Sequence, residues 1–109
     1  MKQYNKLVRD RIPEIIKRAG KTPKYHTLND EDFKASLKRK AVEEAEELLA
    51  ANDESLRKEL ADLAEVLDAL LGSYGISSDE IAAIRKARNT ERGAFAEQIF
   101  LESVVDTER

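Results

Sequence analysis

The sequence has no cysteine, one histidine, two prolines and four glycines in 109 residues. Without cysteine there are no disulfides, no thiolate metal ligands and no cysteine nucleophile, and a reducing compartment fits best. So little glycine and proline, with no low-complexity tract, argues against long disordered segments. No run of apolar residues reaches the length of a signal-peptide core or a membrane span, so the expected location is the cytoplasm, with no membrane partner. Charge of one sign is also lacking. The 22 acidic and 19 basic residues leave a formal net charge of −3. There is no basic field of the kind that nucleic acid requires, and no nucleic-acid partner is expected.

What is present suits amphipathic helices that each commit one face to burial: 41% of residues are hydrophobic and 38% charged. The length fits a single domain over residues 1–109, large enough for a modest core and small enough for oligomerisation to supplement it. Ile12, Ile15, Ile16 and Ala19 follow helical spacing, with Pro13 in the first turn and Gly20 placed to close the helix. Residues 21–28 read as a connector, with a short extended piece around Tyr25-His26-Thr27. Asn29 or Asp30 then caps a long helix, and Asp53 offers the same to a second. Gly72 and Gly75 loosen or end that second helix. Ser77 and Glu80 fit a capping box opening a fourth helix that ends before Gly93. The apolar residues between Ala94 and Val105 fit a helix, a strand or an oligomer contact equally well. The fold class predicted is all-α: a small helical bundle built on a long antiparallel helix hairpin.

The hairpin carries the most informative pattern. Glu44 with Glu47, and Glu59 with Asp62, lie symmetrically about Asp53. In a hairpin turning at Asn52-Asp53, Glu47 is level with Glu59 and Glu44 with Asp62. A rise of about 1.5 Å per residue puts the two levels roughly 4.5 Å apart, the scale of a metal site. Helical phase strengthens the case. At about 100° per residue, Glu44 falls among Phe33, Leu37, Ala41 and Leu48, with Glu47 and Lys40 on the adjoining edge. Glu59 falls between Val66 and Leu70, and Asp62 borders the same stripe. Carboxylates set among leucines either take up a proton or hold a counter-ion. Glu46, Glu65 and Asp68 fall on far faces and read as solvated charges.

Four carboxylates without a nearby imidazole favour a hard divalent ion, Mg²⁺ or Mn²⁺, that takes its remaining ligands from water and substrate phosphate. A di-iron site requires Glu-x-x-His pairs. His26, the single histidine, lies outside both long helices and reads as a connector residue.

These residues resemble the MazG-like all-α nucleoside triphosphate pyrophosphohydrolases, a superfamily that includes phosphoribosyl-ATP pyrophosphohydrolase. The resemblance rests on Glu43, Glu44, Glu47, Glu59 and Asp62, and extends over the opening Asn5-Lys6-Leu7-Val8-Arg9-Asp10-Arg11-Ile12-Pro13 and the later Arg92-Gly93-x-Phe95. It implies hydrolysis of a nucleotide between the α and β phosphates, with removal of non-standard or surplus nucleotides as a role. Glu44, Glu47, Glu59 and Asp62 would correspond to the metal ligands. Glu43 either orients or deprotonates the attacking water or faces solvent. Lys40, Lys86, Asn89 and Arg92 are the candidate phosphate contacts; the alternatives are an ion pair of Lys40 with Glu43 or Glu44 and a charge cluster at a helix C-terminus. Arg9 and Asp10 either brace the fold or reach a neighbouring subunit's pocket. Tyr74 and Phe95 read as core or interface aromatics before base-stacking ones. One carboxylate hairpin gives little wall for a nucleotide, so a homodimer or homotetramer is expected. The reading from another class is a non-catalytic helical interaction module whose acids pair with Lys40 and other basic residues.

Overall fold

A computed structural model describes residues 2–106. Four helices follow one another: α1 (Ile12–Arg18), α2 (Asp30–Ala50), α3 (Leu56–Tyr74) and α4 (Ser78–Arg92). No strand occurs among the described residues. The all-α expectation holds. The chain divides into two compact units, one running to Ser77 and one starting at Ser78.

In the first unit, α2 and α3 pack against each other as the long hairpin. Asn29 caps α2: its side-chain oxygen accepts from the Asp32 N–H at 2.8 Å, satisfying one of the free donors of the first turn. Three acids, Asp30, Glu31 and Asp32, occupy that turn and favour the positive end of the helix dipole. The turn between the helices is where Asn52-Asp53 was expected, but its cap differs. Asn52, not Asp53, supplies the side chain, accepting from the Ser55 N–H at 2.9 Å. Ser55, the residue before α3, makes no side-chain cap of its own. An asparagine one position earlier closes the turn locally and leaves Asp53 in solvent.

At its far end α3 runs through Gly72 and stops at Gly75, whose φ of 65° gives the left-handed cap that favours glycine. There the Tyr74 ring lies under two lysines of α2, with Lys34 Nζ 4.7 Å and Lys38 Nζ 5.3 Å from its centroid. This pins the end of one helix to the beginning of the other.

The core is thin. Leu37 of α2 and Val66 of α3 are the buried hydrophobic residues among those described. The short α1, with Pro13 in its first turn, follows an extended N-terminal strap. The strap is tied to the hairpin by two long-range ion pairs, Lys6 with Glu43 and Arg9 with Asp62. The 21–28 connector has neither helix nor strand.

In the second unit, α4 ends before Gly93 as expected. Residues 93–106 form neither helix nor strand, and Phe95, Ile99, Phe100, Leu101, Val104 and Val105 are all exposed.

Candidate functional site

The hairpin brings three acids together. Glu44 from α2 and Glu59 and Asp62 from α3 each offer a carboxylate oxygen, and these oxygens lie within 4.8 Å of one another. The register follows from the turn: a hairpin centred near Asp53 sets Glu44 opposite Asp62, and Glu59 projects from the same face one helical turn earlier.

Glu44 is buried, with 7% of its surface accessible. Its Oε2, and Oε2 of Glu59, are buried with no hydrogen-bond partner. Buried acceptors are ordinarily paired, and two orphaned carboxylate oxygens in one acid cluster suit a bound cation. The donor set, all oxygen and all hard, fits a divalent ion such as Mg²⁺. The residues present therefore fit the metal expected from the sequence.

Among the described residues, three cations touch the cluster. Lys40 Nζ lies 3.6 Å from Glu44 and 3.7 Å from Glu43. Lys58 Nζ lies 3.3 Å from Glu59 and 3.4 Å from Asp62. Arg9 donates to Asp62 at 3.0 Å. The Lys58 ammonium is held above its ordinary pKa, first by its hydrogen bond to Glu59 and then by the one to Asp62. These contacts leave the two buried Oε2 atoms unpartnered.

Glu47 is not in the group of three. Its side chain is exposed, because it leaves α2 about 60° off the direction of Glu44 and so points past the edge of the seam. Its charge is nonetheless one of those that raise the pKa of Lys6. Glu43, half-buried and about 40° from Glu47 on the same side of Glu44, accepts from Lys6 Nζ at 2.9 Å. That hydrogen bond holds the Glu43 carboxyl below the usual carboxylate range and the Lys6 ammonium above its own. Glu46, Glu65 and Asp68 are exposed, as read.

Beside the cluster runs an open groove of about 520 Å³. The strap and α1 form one wall through Val8, Ile12 and Ile15, and the hairpin forms the other through Phe33, Leu37 and Val66. Arg9, Asp10, Arg11, Lys40, Glu44, Asp62 and Glu65 supply its polar edge. Lys86, Asn89 and Arg92 belong to the second unit, where they run along one side of α4 at three-residue intervals and are exposed. His26 is an exposed connector residue.

Sequence reasoning missed two participants. Lys58 was legible, because a lysine four residues before Asp62 and next to Glu59 reaches both on a helix. Lys6 gave no local signal, since its partner lies 37 residues away.

Residues 2–89 match the phosphoribosyl-ATP pyrophosphohydrolase family. The chain belongs to that family. The carboxylate cluster lies within the matched residues. An uncharacterized protein of Mycolicibacterium smegmatis (strain ATCC 700084 / mc(2)155) is 52% identical over 46 residues, covering 42% of this chain and 47% of the relative. The chain thus matches about half the length of that relative. No solved structure matches. No helix among the described residues is long and apolar enough to cross a membrane.

Proposed function

We propose that this chain is a Mg²⁺-dependent pyrophosphohydrolase, active with Mn²⁺ as well, acting as one domain over residues 1–109. It splits a nucleoside triphosphate or a related nucleotide between the α and β phosphates, giving a monophosphate and pyrophosphate. The observation that carries this reading is the pair of buried, unpartnered carboxylate oxygens of Glu44 and Glu59 within a three-acid cluster.

A bound divalent ion supplies phosphate charge neutralisation and a water of lowered pKa. The protein's part is to hold and orient. Glu44, Glu59 and Asp62 are the ligands, with Glu47, one turn along α2, as the fourth. Glu43 orients the attacking water through its free lone pairs; with its pKa held down by Lys6, it is better suited to accepting a hydrogen bond than to removing a proton. Lys40 meets the polyphosphate from the groove's edge; Lys86, Asn89 and Arg92 are proposed as phosphate contacts on the strength of the sequence resemblance. The groove's volume of about 520 Å³ lies within the range of small-molecule sites, and its apolar walls suit the nucleoside.

The test is a panel of canonical and modified nucleoside triphosphates with Mg²⁺ or Mn²⁺, with products resolved by mass. Monophosphate and pyrophosphate are expected, and chelation should abolish turnover. Diphosphate with orthophosphate contradicts the assignment. No turnover of any nucleotide, with stability indifferent to metal, leaves the helical interaction module as the better description.

A further inference from the structure

Of the three cations touching the cluster among the described residues, Lys40 and Lys58 belong to the hairpin itself. Arg9 comes from outside it, across 53 residues of sequence. Its backbone is held, because the Arg9 carbonyl accepts from the Ile12 N–H at 3.1 Å where α1 begins. Its head is not. The Arg9 side chain is 59% exposed, and its partner on Asp62 is 25% exposed. An ion pair so open to water is weak and readily exchanged. Yet Asp62 is one of the three acids whose oxygens converge, and Arg9 lines the same groove as Glu44 and Lys40.

From this geometry we propose that Arg9 is an exchangeable phosphate ligand. It pairs with Asp62 until a divalent ion claims that carboxylate, and its guanidinium then turns to the polyphosphate of the substrate. The inference rests on the metal reading given above. The chemistry favours the exchange in both directions. A divalent ion outcompetes the exposed Arg9 guanidinium and the exposed Lys58 ammonium for a carboxylate flanked by two others, and repels both once bound. A planar guanidinium freed at the rim matches a phosphate through paired N–H donors. The strap thus gives the nucleotide a cation that the acids hold in place beforehand.

Two consequences of opposite sign separate this role from simple bracing. Removing Arg9 should tighten metal binding and weaken nucleotide binding. Mn²⁺ titration of chelator-treated protein, followed by the signal of free Mn²⁺, should show Arg9→Gln binding the ion about two- to fivefold more tightly than wild type, the effect of losing an exposed ion pair. An α,β-methylene nucleoside triphosphate, which cannot be cleaved at that bond, should bind the Mn²⁺-loaded variant about tenfold more weakly. Arg9→Lys should restore the wild-type metal affinity and part of the nucleotide affinity.

The wild-type protein offers an independent readout. In Mg²⁺ alone the Arg9 guanidinium resonances should show free rotation, and in Mg²⁺ with the analogue hindered rotation should return. This decides the matter even if Arg9→Gln does not fold. Equal Mn²⁺ affinity in folded wild type and Arg9→Gln overturns the proposal, as does weakening of both ligands together or a guanidinium unmoved by Mg²⁺. A wild-type chain that binds no Mn²⁺ instead removes the metal reading itself, and this inference with it.

Discussion

At the scale of single residues, Glu44 sits at the centre of an electrostatic conflict. It is buried on the hairpin seam with one oxygen unpartnered, and two further carboxylates have oxygens within 4.8 Å of its own. Against this stand the 3.6 Å contact to Lys40, which has Glu43 at 3.7 Å as a second partner, and the longer-range attraction of Lys6. Replacing Glu44 by glutamine keeps the shape, sheds two repulsions and a desolvated charge, and loses these two shared attractions. In chelator, Glu44→Gln should therefore be more stable than wild type, by about 1 kcal/mol, because an unpartnered buried amide costs less than an unpartnered buried carboxylate. That corresponds to a melting temperature higher by roughly 4–8 °C in a domain of this size. The stabilisation that Mg²⁺ gives wild type, which grows with the ratio of free ion to its dissociation constant, should vanish in the variant together with turnover. A variant that melts lower in chelator would show that Glu44 serves the fold and not an ion. The contrast with Glu47 is instructive, because spacing alone made the two equivalent. Phase separates them: Glu44 lies in the middle of the seam, while Glu47 lies at its edge, where a small rotation of α2 decides whether a side chain faces inward or outward.

At the scale of the elements, each long helix is specified by its ends as much as by its stripe. The Asn29 cap on α2 is a local contact at 2.8 Å, so its loss should cost what caps ordinarily cost. Asn29→Ala is expected to lower unfolding free energy by about 1 kcal/mol while leaving Mg²⁺ affinity unchanged, as chemical denaturation and metal titration of the same variant can check. A loss of metal affinity would mean that the beginning of α2 and the acid cluster are coupled. The four helices and the hairpin turn were legible because each depends on neighbours in sequence: apolar spacing around Leu37 and Val66, Pro13 near the start of α1, Gly75 after α3. The turn's cap was misplaced by one residue, from Asn52 to Asp53, because both residue types satisfy the same rule and only backbone geometry distinguishes them. In the site, the three converging acids were legible for the same local reason. The strap was not. Lys6 and Arg9 find Glu43 and Asp62 across 37 and 53 residues, and no periodicity encodes such a meeting. The segment after Gly93 was open between helix, strand and oligomer contact, and it takes neither regular form.

At the scale of the whole molecule, more apolar surface is exposed than one chain covers. Leu56, Leu60 and Leu67 remain 39%, 47% and 47% accessible on α3. They cluster within about 40° of one another on the helix, roughly 80–120° from the buried direction of Val66. The apolar stripe of α3 is thus wider than the face that α2 covers. Leu60 and Leu67 are seven residues apart, the repeat at which one helix packs against another along a seam. Fully burying a leucine contributes about 1.5–3 kcal/mol, so covering these three matters in a chain whose buried apolar residues, among those described, are Leu37 and Val66. A second copy of the chain, packed through the same face, is the cover we expect, and it would also supply further wall to the groove. Light scattering during size exclusion should then give a dimer or tetramer of the 12.3 kDa chain. Leu67→Lys should shift the mass toward the single chain, lower the melting temperature and remove its rise with protein concentration, since subunit association and stability are linked. The acid cluster lies on the other side of the stripe, so the separated chains should still bind Mn²⁺, though with slower turnover. A wild-type mass of 12.3 kDa at tens of micromolar, or a Leu67→Lys variant as large and as stable as wild type, would leave this face without the role given to it.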